Sequence, residues 1–170
     1  MKKTILALLA LLICIPLSAQ KYELSNGQSI AIRLTSEIKS KNKRQPTPIA
    51  IVDCDIYDKS GEKVLIRRGT AVELSLQTQR AKGVGEAGWI QLECVSTTAV
   101  DGQNIRLIGG LHQEGEDRKG LAIGCGVGLG IVFFPVGICA LCIKGEDTTI
   151  HSNTMIHNVL INSRYMISAE

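Results

Sequence analysis

Aromatic side chains are scarce in this chain, with two Phe, three Tyr and one Trp among 170 residues. That scarcity argues against a base-stacking surface for nucleic acid, which sets aromatics among cations. The basic run Lys39, Lys41, Lys43, Arg44 has no aromatic among it and reads as a solvated loop. Histidine is equally sparse. His112, His151 and His157 stand apart, with no acid or cysteine at ligand spacing. Asp53, Asp55 and Asp58 resemble a metal cluster, but Tyr57 and Lys59 occupy the fifth and seventh places of a calcium loop. Glycines 124–130 lack the third glycine of a dinucleotide fingerprint and the Lys-Ser/Thr of a phosphate loop. There is no nucleophile elbow and no carboxylate pair. The expectation is a protein without metal, cofactor or catalytic residues, and therefore not an enzyme.

Charge of one sign is also lacking. Removing Lys2 and Lys3 from the 19 basic residues leaves 17 against 16 acidic ones. That removal is expected because Met1–Ala19 has the layout of a secretory signal. Two lysines precede an apolar stretch from Ile5 to Leu17, and Ser18-Ala19 supply small residues for cleavage. A retained anchor and a lipoprotein using Cys14 are the alternatives. Cleavage after Ala19 leaves residues 20–170 as one domain, enough for a single core.

The cysteines do not make a full disulfide framework. Five follow the signal: Cys54, Cys94, Cys125, Cys139 and Cys142. Cys54 and Cys94 each sit in an alternating apolar stretch, Val52-Cys54-Ile56 and Ile90-Leu92-Cys94, and both are expected to face the core. They could pair in an oxidising compartment or remain free thiols. Cys139 and Cys142 form a CxxC at the end of an apolar run rather than at a helix start, so redox chemistry is not expected of them.

Against these absences stand two positive features. The first is a pattern of turn then strand that occurs three times. Leu24…Gly27…Ile30-Ala-Ile32-Arg-Leu34 is followed by Ile66…Gly69…Val72-Glu-Leu74-Ser-Leu76 and by Ile150…Asn153…Ile156…Leu160. Gly and Asn tolerate left-handed backbone angles, and the alternation after them has the two-residue period of a half-buried strand. Asn158 interrupts the third copy. Further strands are expected over Ile49–Tyr57, Trp89–Val95 and Ile105–Ile108, with a hairpin turn at Asp101-Gly102. Gly83, Gly85 and Gly88 read as a flexible connection, and His112–Gly120 as a charged loop. The fold class expected is mainly β: a small barrel or sandwich of short strands with turn glycines at Gly27, Gly69 and Gly102.

The second feature is Leu121–Ile143, LAIGCGVGLGIVFFPVGICALCI, 23 residues without a charge. It interrupts the strand pattern, so it reads as an insertion at 121–144 in the β domain. About 18 or more apolar residues can cross a bilayer as a helix. Gly124 and Gly128 lie four apart, the spacing at which membrane helices pack closely. Phe134-Pro135-Val136-Gly137 is a turn signal. A single crossing would leave the third turn–strand copy on the wrong side of the membrane. A helical hairpin bent near Pro135 returns it, with arms of roughly 15–20 Å reaching about halfway through a ~30 Å core. Leu129, Ile131, Phe133 and Phe134 would then contact lipid or a neighbouring subunit. A hairpin packed on its own barrel, in a soluble periplasmic binding module, is the alternative.

Leu24…Gly27…Ile32-Arg-Leu34-Thr35…Ile38-Lys-Ser40, Asp55-Ile-Tyr57-Asp-Lys-Ser-Gly61…Gly69-Thr70 and Asp101-Gly102…Ile105-Arg-Leu107…Gly109 together resemble the C-terminal β-barrel of TrbI-type conjugation and type IV secretion scaffold proteins. The resemblance implies a barrel from which a two-helix apolar antenna, here Leu121–Ile143, leaves late in the sequence. It implies a closing strand starting near Asn153-Thr154. It also implies an exported, envelope-associated protein whose partners are a membrane or an envelope complex, with a homo-oligomer as one form of assembly.

Overall fold

The computed structural model describes residues 20–42, 45–119 and 143–169. Met1–Ala19, expected as a signal, and the apolar run up to residue 142, with Gly124, Gly128, Leu129, Ile131, Phe133, Phe134 and Pro135, lie outside the described residues. Every element within them is a strand. In chain order these are β1 (Lys21–Leu24), β2 (Ser29–Leu34), β3 (Ile38–Lys39), β4 (Ala50–Val52), β5 (Ile56–Tyr57), β6 (Val64–Ile66) and β7 (Ala71–Gln79). There follow β8 (Trp89–Thr98), β9 (Asn104–Ile108), β10 (Gly110–Glu114), β11 (Thr149–Ile150), β12 (Met155–Ile161) and β13 (Tyr165–Ser168).

Six strands close a barrel in the order β8-β7-β4-β2-β12-β9, because β9 pairs back onto β8. All these pairings are antiparallel. Closure removes the free edges that a small open sheet would expose. Three two-stranded ladders complete the fold: β1 with β13, β3 with β11, and β5 with β6.

The interior is aliphatic, as the shortage of aromatics requires. Ile30, Ile32, Leu34, Ile90, Leu92, Ile105 and Ile161 are wholly or almost wholly buried. Their alternation on β2, β8 and β9 is the period-two signal read from the sequence. The outward positions between them carry Arg33, Gln91, Glu93 and Arg106. A membrane barrel reverses that arrangement, with apolar residues outside. Val95, Ile108, Met155 and Leu160 are also exposed on β8, β9 and β12, so the outer wall is mixed rather than uniformly polar.

Gly27, Gly69 and Gly102 take φ of +76°, +85° and +84°, and Asn153 takes +70°. Each copy of the turn–strand pattern therefore turns through a left-handed residue. Asn158, which breaks the third copy, lies at a register shift of β12 between Ile156 and Val159. Its carbonyl packs against the α-carbon of Gly109, where any side chain would overlap it. Gly109, at φ +125°, in turn accepts the amide of Cys94 at 2.9 Å. This glycine joint lets one long strand, β8, pair first with β10 and then with β9.

Four expectations are corrected. Ile49–Tyr57 is two strands, not one: the Asp53 amide still donates to Ala31 of β2 at 2.9 Å, and the chain then bends at Cys54 before β5. Asp53 accepts Arg33 Nε at 2.7 Å, and Asp55 accepts the Arg68 amide at 2.7 Å. Cys54 lies between them at a bend and is exposed, while Cys94 is buried, and both are free thiols. The first part of His112–Gly120 belongs to β10 rather than to a loop, held by pairing with β8. The glycines at 85 and 88 are not a flexible connection; both are buried.

Candidate functional site

Those two buried glycines organise the place where the apolar insertion meets the barrel. The β7–β8 loop, residues 80–88, receives both flanks of the insertion. The Gly85 amide donates to the carbonyl of Ile143 at 2.8 Å, and the Gly85 carbonyl accepts the amide of Arg118 at 2.8 Å. One residue thus touches Arg118, ahead of the apolar run, and Ile143, the residue that ends it. The Arg118 nitrogen and the Ile143 oxygen can then be no more than about 9 Å apart.

Further bonds extend the clamp inward. Gly88 donates to Glu146 at 2.9 Å and accepts Gly115 at 2.8 Å, and Glu146 donates to Glu116 at 3.0 Å. Arg118 also forms an ion pair with Glu146 across the two flanks. A Cβ at Gly85 would fall on the backbone of Arg118 and Lys119, and one at Gly115 on the carbonyl of Glu146. One at Gly145 would meet Ala87 N at 2.7 Å. Glycine is therefore required at these joints for contact of backbone with backbone.

Side chains lock the returning flank. Asp147 Oδ1 accepts the Ala81 amide at 2.8 Å and the Ser40 hydroxyl at 3.1 Å. Ser40 Oγ accepts the Thr148 amide at 2.9 Å. Ser40 is buried, and Gly88 leaves the room this group needs, since a Cβ there would lie 2.8 Å from Ser40 Oγ. From Thr149 the chain enters β11 against β3, and then reaches the closing strand β12.

Ionisable groups elsewhere are arranged for structure. The Arg33 guanidinium donates to Asp53 and also to Asn153 Oδ1 at 2.7 Å, tying β2 to the third turn. That hydrogen bond holds the Asp53 carboxyl below its usual range despite a smaller opposing desolvation. Burial pushes the Cys94 thiol up to about 11. Among the described residues no group of three His, Cys, Asp or Glu side chains could hold a metal ion. His151 and His157 are both exposed. Gly27, Gly69 and Gly102 each leave open space around the α-carbon, so their role is confined to turn geometry.

Sequence reading did not find the clamp. Gly115 and Gly145 lie on either side of the apolar run, and Gly85 and Gly88 stand in one short loop. Those glycines were the available signal.

No family model and no curated protein matches the chain. Among solved structures, ComB10 of the Com type IV secretion system of Helicobacter pylori aligns over 84% of this chain and 89% of its own, at 14% identity and a TM-score of 0.47. A likeness at that level carries no functional weight.

Proposed function

We propose that this chain is an exported cell-envelope β domain that enters or contacts a membrane through the glycine-rich apolar segment 121–143. Its role is structural: it seats the segment and contributes to the assembly of an envelope complex, without catalysis. One observation carries the reading. Both flanks of the segment are bonded to Gly85, at 2.8 Å each. A straight helix through the run would separate its ends by about 34 Å. The flank geometry therefore supports a course that goes out and returns, with the closing strand back in the same barrel. The assembly role rests on the sequence's resemblance to TrbI-type scaffold barrels.

The second reading, a soluble periplasmic module, has the segment folded against its own barrel. Fractionation separates the two. The proposal expects the mature protein in membranes, released by detergent and not by salt. Replacing Ile123–Leu141 with a short Gly-Ser linker should move it to the soluble fraction with its β signal intact. A wild-type protein that is a soluble monomer would establish the second reading.

A further inference from the structure

Beside the clamp lies a cleft of about 610 Å³ whose lining includes Gln79, Arg80, Lys82, Trp89 and Lys144. Among the described residues no carboxylate lines it. The cations are brought there by the clamp itself. Lys144 follows the last residue of the apolar run, and the carbonyl of Lys82 accepts the amide of the next residue, Gly145, at 3.4 Å. Arg80 precedes Ala81, whose amide is fixed by Asp147. Among the described residues none of the three forms an ion pair. Of the neighbouring acids, Glu86 accepts Gln79 Nε2 at 3.1 Å and Asp147 accepts the Ala81 amide at 2.8 Å, both on residues of the cleft, while Glu146 pairs with Arg118 and Asp117 with Lys119.

Three exposed cations line one cleft, and an anion entering it would offset their mutual repulsion. The tryptophan specifies more. Trp89 is half-buried at the start of β8, its ring tilted on His112 with centroids 6.2 Å apart. An indole has an apolar body and a polar N–H, and such rings collect at the boundary between hydrocarbon and water. Here it stands at the root of an apolar segment, among cations of the kind that attract anionic lipid surfaces.

We propose that this cleft holds the phosphate of an anionic phospholipid headgroup, at the surface of the membrane that segment 121–143 enters. The inference rests on the membrane reading above and adds a lipid class and a site to it. Phosphate is the recognised chemistry, and the lipid is its source.

The test uses the full exported chain, in which Trp89 is the single tryptophan and reports on the cleft directly. Binding is measured to vesicles of phosphatidylcholine alone and of phosphatidylcholine mixed with phosphatidylglycerol. Each cation near an anionic surface contributes about fivefold in affinity, so the three together give on the order of a hundredfold preference for the mixed vesicles. Arg80→Gln, Lys82→Gln and Lys144→Gln combined should remove that preference and leave binding to neutral vesicles unchanged. Trp89 emission should shift to the blue with mixed vesicles in the wild type, and less in the triple variant. Inorganic phosphate without vesicles should leave it unmoved.

Equal binding of the wild type to both vesicle types overturns the headgroup site while leaving the membrane reading standing. Binding to neither overturns both. A Trp89 shift with inorganic phosphate alone overturns the lipid assignment in favour of a soluble anion.

Discussion

Gly85 donates its amide to the carbonyl of Ile143, 58 positions later, across a distance of 2.8 Å. The bond ties the β7–β8 loop to the residue that ends the apolar run. It makes the loop a seat for the insertion rather than a passive connection.

Substitution of that glycine tests the seat. Gly85 has φ +71°, and a Cβ would strike the backbone of Arg118 and Lys119. Gly85→Val should lower stability by about 1–3 kcal/mol from backbone strain alone, and more from the collision. Trypsin should then cut the flanks faster, at Arg118, Lys119 and Lys144. A thermal melt and a digestion time course measure the two effects. Unchanged cleavage would mean that the flanks hold without Gly85.

A pair of glycines separates turn geometry from close packing. Gly69 and Gly109 both have positive φ, but Gly69 faces open space and Gly109 abuts the Asn158 carbonyl. Gly69→Val should lose about 1–3 kcal/mol through strain. Gly109→Val should lose clearly more, because β12 must move away at Asn158 and Val159. Melts of the two variants side by side decide this, and equal losses would contradict the packing at Gly109.

The two described thiols should differ in reactivity. Cys54 is exposed, and Cys94 is buried with its thiol raised from 9.0 to about 11. With the other cysteines replaced by serine, an alkylating reagent at pH 8 should modify Cys54 quickly and Cys94 only on unfolding. The raised value also carries a sign for stability. The folded state prefers the neutral thiol, so this contribution is full below about pH 9 and is lost as pH rises toward about 11. Cys94→Ala should flatten the decline of the melting temperature over that window. Rapid labelling of Cys94 in the native protein would show that the barrel opens there.

The apolar segment offers the most direct test of the proposed function. A charge near a bilayer centre costs at least ~2.5 kcal/mol on insertion scales. Ile131→Asp should release the protein from membranes, or break its oligomer, and leave the β signal of the barrel intact. Flotation with vesicles and circular dichroism measure the two halves of this expectation. Loss of the β signal would make the segment part of the barrel core.

The turn–strand copies were legible because they are local. Gly27, Gly69 and Asn153 need left-handed backbone, and the alternation after each follows from the pleat of a strand. Strand interiors such as Ile30-Ile32-Leu34 and Ile90-Leu92 could be assigned to one face from spacing alone. The break at Cys54 was not legible. Alternation continues through Val52, Cys54 and Ile56, while the pull of Arg33 on Asp53 and of the Arg68 amide on Asp55 comes from residues 13 to 20 positions away. Composition determined the aliphatic core, and hydropathy marked out the apolar run. Tertiary structure alone decided that β9 closes the barrel on β8, that Gly109 absorbs the bulge at Asn158, and that Gly85 joins both flanks of the insertion. Each of these is a contact between backbones distant in sequence, and a missing side chain leaves no pattern from which its partner can be read.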